Sequence, residues 1–294
     1  MLKKKDNIMG FCFLIPALIL LSILIIYPLI NATYLSFHSQ LIYELKGHFI
    51  GLTNYIETLQ DKEFWNALSL SIIWTVASVI AQVLLGVSAA LLLNEDFKGR
   101  TLARALVLLP FFMPTISVTL MWKWLLNENY GIFNYILMQL NIISKTISWL
   151  ADSRFAFFSL ICIGIWRFSP FVIINILARL QTIPLELYEA AEIDGASKWS
   201  QFRYITLPEI KGVLLVVILL RGIFMFKKVD MFLILTGGGP GTSTQTLPVL
   251  IYKSAFKAMQ LGKGAADAMV TLLIVTVFII LYMRITGKSQ EEVG

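Results

Sequence analysis

From Phe64 to Asn94 the chain carries no charged residue at all, and a run of that length has few folds open to it. In water it would have to lie wholly inside a large core. In a bilayer, where roughly 20 consecutive apolar residues cross the hydrocarbon as a helix, it is a span with residues to spare. Similar apolar blocks recur along all 294 residues, so six spans are expected: 11–30, 67–93, 105–126, 155–180, one opening at Glu209, and 265–283. Only 14% of residues are charged and the mean hydropathy is +0.77, against roughly 25% charged in a soluble domain. The expected fold is an all-α polytopic membrane protein.

An even number of spans puts both termini on one side. The two sides hold nearly equal numbers of basic residues, so density sets the orientation. Lys3, Lys4 and Lys5 crowd the N-terminus and Lys98, Arg100 and Arg104 crowd the short 94–104 loop, which places both in the cytoplasm. The N-terminal segment reads as an uncleaved anchor, because its uncharged stretch is long and no small-residue cleavage site follows. The net charge of +6 is therefore topological, and no nucleic-acid partner is expected. The regions that result are an N-terminal tail with the first span (1–32), an outer loop (33–66), a core of five spans (67–286) and a cytoplasmic tail (287–294).

Within the core, a long polar segment joins the fourth and fifth spans at 184–208. Ile183-Pro184-Leu185-Glu186 reads as a helix start, with proline early and a carboxylate near the positive end of the dipole. One helix is expected over 185–194 and a sharp turn at Gly195. A second follows over 196–204, with Trp199, Phe202 and Ile205 recurring every third residue. Thr206-Leu207-Pro208-Glu209 has capping-box spacing and is expected to start the next span afresh. Ala190, Ala191 and Ala196 present little bulk, while Glu189 and Glu192 offer carboxylates to a basic partner. Two readings stand side by side: a contact surface for another protein, or an amphipathic loop packed on the underside of the bundle.

Other polar residues fall inside the spans. Arg167 and Arg221 sit mid-span, where an arginine costs at least about 2.5–3.5 kcal/mol and so must face a cavity or a partner. Either they line a path for a hydroxyl-rich or anionic solute, with Trp166 able to stack on a sugar ring, or they brace neighbouring helices. Asn175 lies two turns beyond Arg167, and Gln82 is a lone amide at mid-depth; for both, an interhelical hydrogen bond is the plainer reading. The outer segment 236–264 opens with Gly237-Gly238-Gly239-Pro240-Gly241, which lacks the lysine and strand of a phosphate loop and reads as a flexible turn open to an outside partner.

Several function classes find no support. Cys12 and Cys162 fall in apolar runs as small hydrophobes. His38 and His48 have no ligand company, and no metal-site spacing occurs. No nucleophile–base pair can be assembled. No carboxylate lies in the central part of a span, where a secondary transporter would need one for ion coupling.

The polar segment resembles the EAA loop of permease subunits from binding-protein-dependent ABC importers. That pattern is Glu-Ala-Ala, three residues, Gly, nine residues, Ile-x-Leu-Pro, met here by Glu189-Ala190-Ala191, Gly195 and Ile205-Thr206-Leu207-Pro208. Ile183-Pro184 and Ile193-Asp194-Gly195-Ala196 are similar to the carbohydrate branch, of the maltose/glycerol-phosphate type. The likeness extends over most of the chain through Pro16, Tyr27-Pro28, Gly51-Leu52-Thr53-Asn54-Tyr55, Leu109-Pro110 with Pro114, Gly131-Ile132-Phe133-Asn134, Trp166-Arg167 with Pro170, and Leu235 to Pro240. It implies the type I importer permease fold in a bacterial cytoplasmic membrane and a heterodimer with a second, homologous permease. It also implies two ATP-binding subunits that consume ATP and Mg2+, and an extracytoplasmic solute-binding protein that touches Gly237, Gly238, Gly239 and Pro240. Glu189, Ala190, Ala191, Glu192, Asp194, Gly195 and Ala196 would then seat in a cleft of the ATPase. The chain itself would bind no cofactor and catalyse nothing, and its cargo would be a di- or oligosaccharide, or alternatively a polyol or a glycerol phosphate.

Overall fold

The computed structural model describes residues 14–291. The basic tail Lys3-Lys4-Lys5, Cys12, the opening residues of the first expected span and the side chains of 287–294 lie outside that description.

In chain order the helices and strands are α1 (Leu14–Ser36), β1 (His38–Ser39), β2 (His48–Phe49), α2 (Thr53–Gln60), α3 (Lys62–Asn94), α4 (Arg100–Phe112), α5 (Thr115–Leu125) and α6 (Ile132–Gln139). There follow α7 (Ser153–Leu180), α8 (Leu185–Ile193), α9 (198–226), α10 (Asp230–Leu235), α11 (Leu247–Tyr252, running on as a π turn Lys253–Lys257) and α12 (Leu261–Glu291). Among the described residues, α1, α3, α7 and the 261–286 part of α12 are long and apolar enough to cross a membrane. The pair α4–α5 makes a fifth candidate.

Three expectations change. The span expected over 105–126 is two helices that meet at 96°. Pro110 stays inside α4, and the break comes at Met113, which is extended, and Pro114, which caps α5. The residue before a proline is disfavoured in the helical region; Met113 leaves it, whereas Leu109, before Pro110, stays helical. The second correction is at Thr206: no new helix starts there. Thr206 is helical (φ −62°, ψ −51°) and makes no capping bond, so α9 runs unbroken from Lys198 through a π turn at Phe202–Thr206 into Leu207–Phe226. Its true cap is Ser197, whose hydroxyl accepts from the Ser200 amide. Third, the glycine-rich turn is not loose. Gly237 donates to Phe232 O at 2.9 Å and Gly239 to Thr236 O at 3.1 Å, while the Thr244 hydroxyl donates to Gly239 O at 2.8 Å. Gly237 and Gly238 take up positive φ, open to them for want of a Cβ.

The described chain forms two compact bodies. One comprises residues up to 65 together with 250–274. Its β1–β2 hairpin pairs His38 with Phe49. Buried Asn54 of α2 donates to the carbonyls of Ser36 (2.9 Å) and His38 (3.1 Å), so the Gly-Leu-Thr-Asn-Tyr motif does structural work here. Asp267 of α12, 1% exposed, accepts from Thr58 (2.7 Å) and Ser254 (3.1 Å) and lies 3.7 Å from Lys263 Nζ. This buried carboxylate near the start of the last span is absent from the sequence reading.

The other body comprises 66–249 and 275 onward. Close approach of α3 and α7 organises it. A Cβ on Gly86 would lie 2.5 Å from Val172 Cγ1, and one on Gly164 would enter the Trp74 ring. Trp74 is itself buried and donates Nε1–H to the Met225 carbonyl at 2.9 Å. Between helices in lipid, such packing and hydrogen bonds of about 0.6–2 kcal/mol replace the hydrophobic effect as the holding force.

Candidate functional site

The polar segment 184–208 folds as α8, a turn at Gly195 and the start of α9. Pro184 caps α8 and Glu186 lies in its first turn. At the other end, Gly195 adopts φ +78°, the Ala196 amide donates to Ala191 O at 2.9 Å and the Gly195 amide to Glu192 O at 3.1 Å. These two bonds are a Schellman ending, which requires a left-handed residue where Gly195 stands. Nothing crowds a Cβ at Gly195, so its backbone dictates the residue and its surroundings do not.

No residue of α8 is buried. Ile193 is 87% exposed, Leu185 72% and, across the turn, Trp199 67%. Ala190 is exposed, and Ala191 and Ala196 are half-buried. The helix is tethered through Tyr188, whose hydroxyl meets that of Thr206 at 2.9 Å. Glu192 is held within the chain by Lys198 at 2.8 Å, which leaves Glu189 the freer of the two expected carboxylates. The Lys198 hydrogen bond keeps the Glu192 carboxyl below its usual range, and the same bond raises the ammonium of Lys198. Glu189, Glu192 and Tyr188 wall a groove of about 870 Å3 with the end of α3 and the residues just after it, Glu95 and Asp96.

Two residues missed in the sequence close the base of the unit. Arg179, in the last turn of α7, reaches Glu209 Oε2 at 2.5 Å and the Glu209 carbonyl at 2.9 Å. A third bond from Arg179 goes to Thr182 Oγ1 at 3.0 Å. The available signal was a cation in the last turn of one span, suited to that end of the helix dipole, and a carboxylate at the edge of the next apolar run.

The mid-span arginines converge on one ring. The Arg221 guanidinium lies 5.0 Å from the centroid of Phe168, that of Arg167 5.3 Å, and Lys228 Nζ 5.1 Å. Arg221 also donates to Gln82 Oε1 at 2.9 Å. Arg167 Nη2 donates to Met113 O (3.0 Å) and Thr115 Oγ1 (2.9 Å), which ties α7 to the α4–α5 elbow. Its Nε and Nη1 are buried without a partner. A cavity of about 530 Å3 opens here, walled by Phe111, Phe168, Phe171, Arg221, Phe224, Met225, Lys227, Lys228, Val229 and Asp230. Trp166 and Asn175 are not among its walls. Trp166 packs edge-on against Trp122 at 5.4 Å, and Asn175 donates back to Phe171 O at 2.7 Å.

Near the glycine-rich turn, Gly239 and Pro240 wall a separate cleft of about 510 Å3 with Asn127 to Asn129 and Trp149 to Ala151. Beside it Asp152 caps α7. The side-chain hydrogen bond from Arg154 holds its carboxyl down at about 2.

The site is thus an unburied helix hung between two long helices of a helical membrane body. The profile described as "Binding-protein-dependent transport system inner membrane component" matches residues 82–288, and the chain belongs to that family. It is thus a membrane transport component, of the permease kind. The trehalose/maltose transport system permease protein of Thermococcus litoralis is 36% identical over 291 residues, covering 99% of this chain and 97% of that protein. The sulfoquinovosyl glycerol transport system permease protein of Agrobacterium fabrum is 36% identical over 281 residues, covering 95% and 91%. In structure, a bacterial ABC transporter involved in the import of the acidic polysaccharide alginate matches with a TM-score of 0.83 over 97% of this chain and 96% of that one, at 22% identity.

Proposed function

We propose that this chain is the solute-conducting permease subunit of an ATP-driven importer of carbohydrates, working by alternating access in a cytoplasmic membrane. The observation that carries the coupling part is α8: an exposed helix with rigid ends, carrying Glu189-Ala190-Ala191 and closed at Gly195. A helix so fixed transmits a displacement to the helices that flank it instead of absorbing it. In this reading α8 docks in the cleft of a partner ATPase through Glu189, Ala190, Ala191, Glu192, Asp194, Gly195 and Ala196, and ATP with Mg2+ is consumed there. α9 supplies the sixth span, with Glu209 and Lys211 near its entrance and Arg221 on its inner face, and both termini are cytoplasmic.

A second, homologous permease completes the path, and a solute-binding protein docks outside near Gly237 to Pro240. Among solved structures, the alginate transporter has also been seen in complex with an alginate pentasaccharide-bound periplasmic protein, again at a TM-score of 0.83. Within this chain the solute path passes the Phe168 cavity, with Arg221 on its wall and Arg167 behind the ring. Trp166 and Asn175 stand further off. The sugar-transporting names of the relatives favour a saccharide over a polyol or a glycerol phosphate. Ion-coupled secondary transport is disfavoured because Asp267, a buried carboxylate of α12, is already engaged by Thr58, Ser254 and Lys263.

The test is reconstitution of the full complex in proteoliposomes with Glu189→Lys and with Gly195→Asp. Both variants should assemble and bind ATP, yet lose solute uptake while hydrolysis becomes independent of the binding protein. Normal uptake by both would refute the proposal.

A further inference from the structure

Resting on the reading of this chain as a saccharide permease, we infer that the Phe168 cavity is selective for anionic saccharides, those bearing a carboxylate, sulfonate or phosphate. Its walls combine two features that together specify a ligand. Phe111, Phe168, Phe171 and Phe224 supply flat apolar faces, the surface on which the C–H face of a sugar ring rests. Arg221, Lys227 and Lys228 supply three cations against the single carboxylate of Asp230 among the lining residues.

That imbalance is not removed locally. Asp230 is spent on Lys228, at 3.0 Å. Among the described residues, Arg221, 3% exposed, finds only neutral acceptors, Gln82 Oε1 and the sulfur of Met225, together with the rings of Phe168 and Phe171. Lys227 lies 4.8 Å from the Phe224 centroid and enters none of the ion pairs found among the described residues. Arg167, 5.3 Å from the Phe168 centroid, is 5% exposed with two guanidinium nitrogens lacking partners. Cations gathered round one cavity repel one another, and beside the buried guanidinium of Arg221 an anionic group relieves that repulsion more than any neutral hydroxyl can. A neutral sugar would use the aromatic faces and leave the surplus charge in place. An acidic one uses both.

The experiment uses the complete transporter, with its partner permease, ATPase subunits and binding protein, reconstituted in proteoliposomes. The probes are radiolabelled digalacturonate and maltose, and the variants are Lys227→Gln and Lys227→Arg. Lys227 is exposed and makes no structural hydrogen bond in the site, so both variants fold. Digalacturonate uptake should fall about tenfold in Lys227→Gln, the loss of one charge-assisted contact. Lys227→Arg should retain it, and any maltose uptake should fall by a smaller factor than digalacturonate uptake in the same Lys227→Gln complex. Wild-type carriage of maltose without digalacturonate overturns the inference and leaves the permease reading intact, as does an equal fall for both sugars or no fall for either. A wild-type complex that moves neither sugar counts against the saccharide reading itself.

Discussion

Arg179 and Glu209 are joined twice, carboxylate to guanidinium at 2.5 Å and guanidinium to backbone carbonyl at 2.9 Å, and between them in sequence lies the whole of α8. The pair shuts the loop of chain at its base, tying α7 to α9 where they leave the 184–208 segment. Both side chains are about a third exposed, and the pair contributes at most about 1 kcal/mol to stability. Its removal should therefore be felt in coupling before folding. Arg179→Gln is expected to assemble normally and to raise severalfold the ATP hydrolysed per solute moved, with the exchange Arg179→Glu plus Glu209→Arg restoring part of the loss. Parallel measurement of uptake and hydrolysis in proteoliposomes checks this.

Gly195 is held at φ +78° in open space. A side chain there meets nothing but its own backbone, which costs about 1 kcal/mol for alanine and less for asparagine. Uptake should thus rank glycine, then asparagine, then alanine, with valine lowest. Unfolding temperatures in detergent should barely move across the series.

Glu192 and Lys198 pair across the same turn at 2.8 Å. The Glu192 carboxyl is depressed and the Lys198 ammonium raised by that bond. The contact is therefore fully present between the unfolded values of about 4.3 and about 10.4. It fades on acidification through the lowered carboxylate value and on alkalinisation through the raised ammonium value. Limited proteolysis of the 184–208 segment should accelerate below about pH 4.3 in the parent chain. Lys198→Met should be cleaved faster already at neutral pH and respond less to acid.

Asp267 accepts from Thr58 and Ser254 and faces Lys263. Asp267→Asn strips the charge that Lys263 faces, and breaking a buried pair on one side costs about 3–5 kcal/mol. The double variant Asp267→Asn with Lys263→Met should be less damaged than the single one. Thermal unfolding of the detergent-solubilised complex distinguishes the two.

Gly164 allows the Trp74 ring to lie against α7. Gly164→Ala is expected to destabilise by about 1–3 kcal/mol through overpacking, and Trp74→Leu introduced beside it should recover part of that. Thermal unfolding of single and double variants checks this.

Much of the fold was legible because lipid leaves a chain few choices. The uncharged 64–94 run did become α3, and Gly195 did become a left-handed helix ending. What escaped prediction depended on partners distant in sequence. Thr206 has the residues of a capping box, but the preceding helix was already running, so there were no free amides to cap. Phe168 looked like one more apolar residue of α7 beside Arg167, and only packing brings Arg221 and Lys228 to the same ring. Asp267 stands near a span end, where a carboxylate draws no notice until Thr58 and Ser254 arrive from elsewhere. The glycine-rich turn was read as loose from composition alone, whereas Thr236 and Thr244 pin it.

The elbow at Met113–Pro114 has a consequence for how the chain enters its membrane. At about 1.5 Å per residue, neither α4 nor α5 is long enough to cross hydrocarbon alone. The bend also leaves the Met113 carbonyl outside any helical ladder. The group that satisfies it is Arg167, 54 residues later in the chain, itself a residue that lipid alone rejects. Each is costly to insert without the other, so this pair of segments and α7 are expected to settle into the bilayer as a single cooperative step and not one after another.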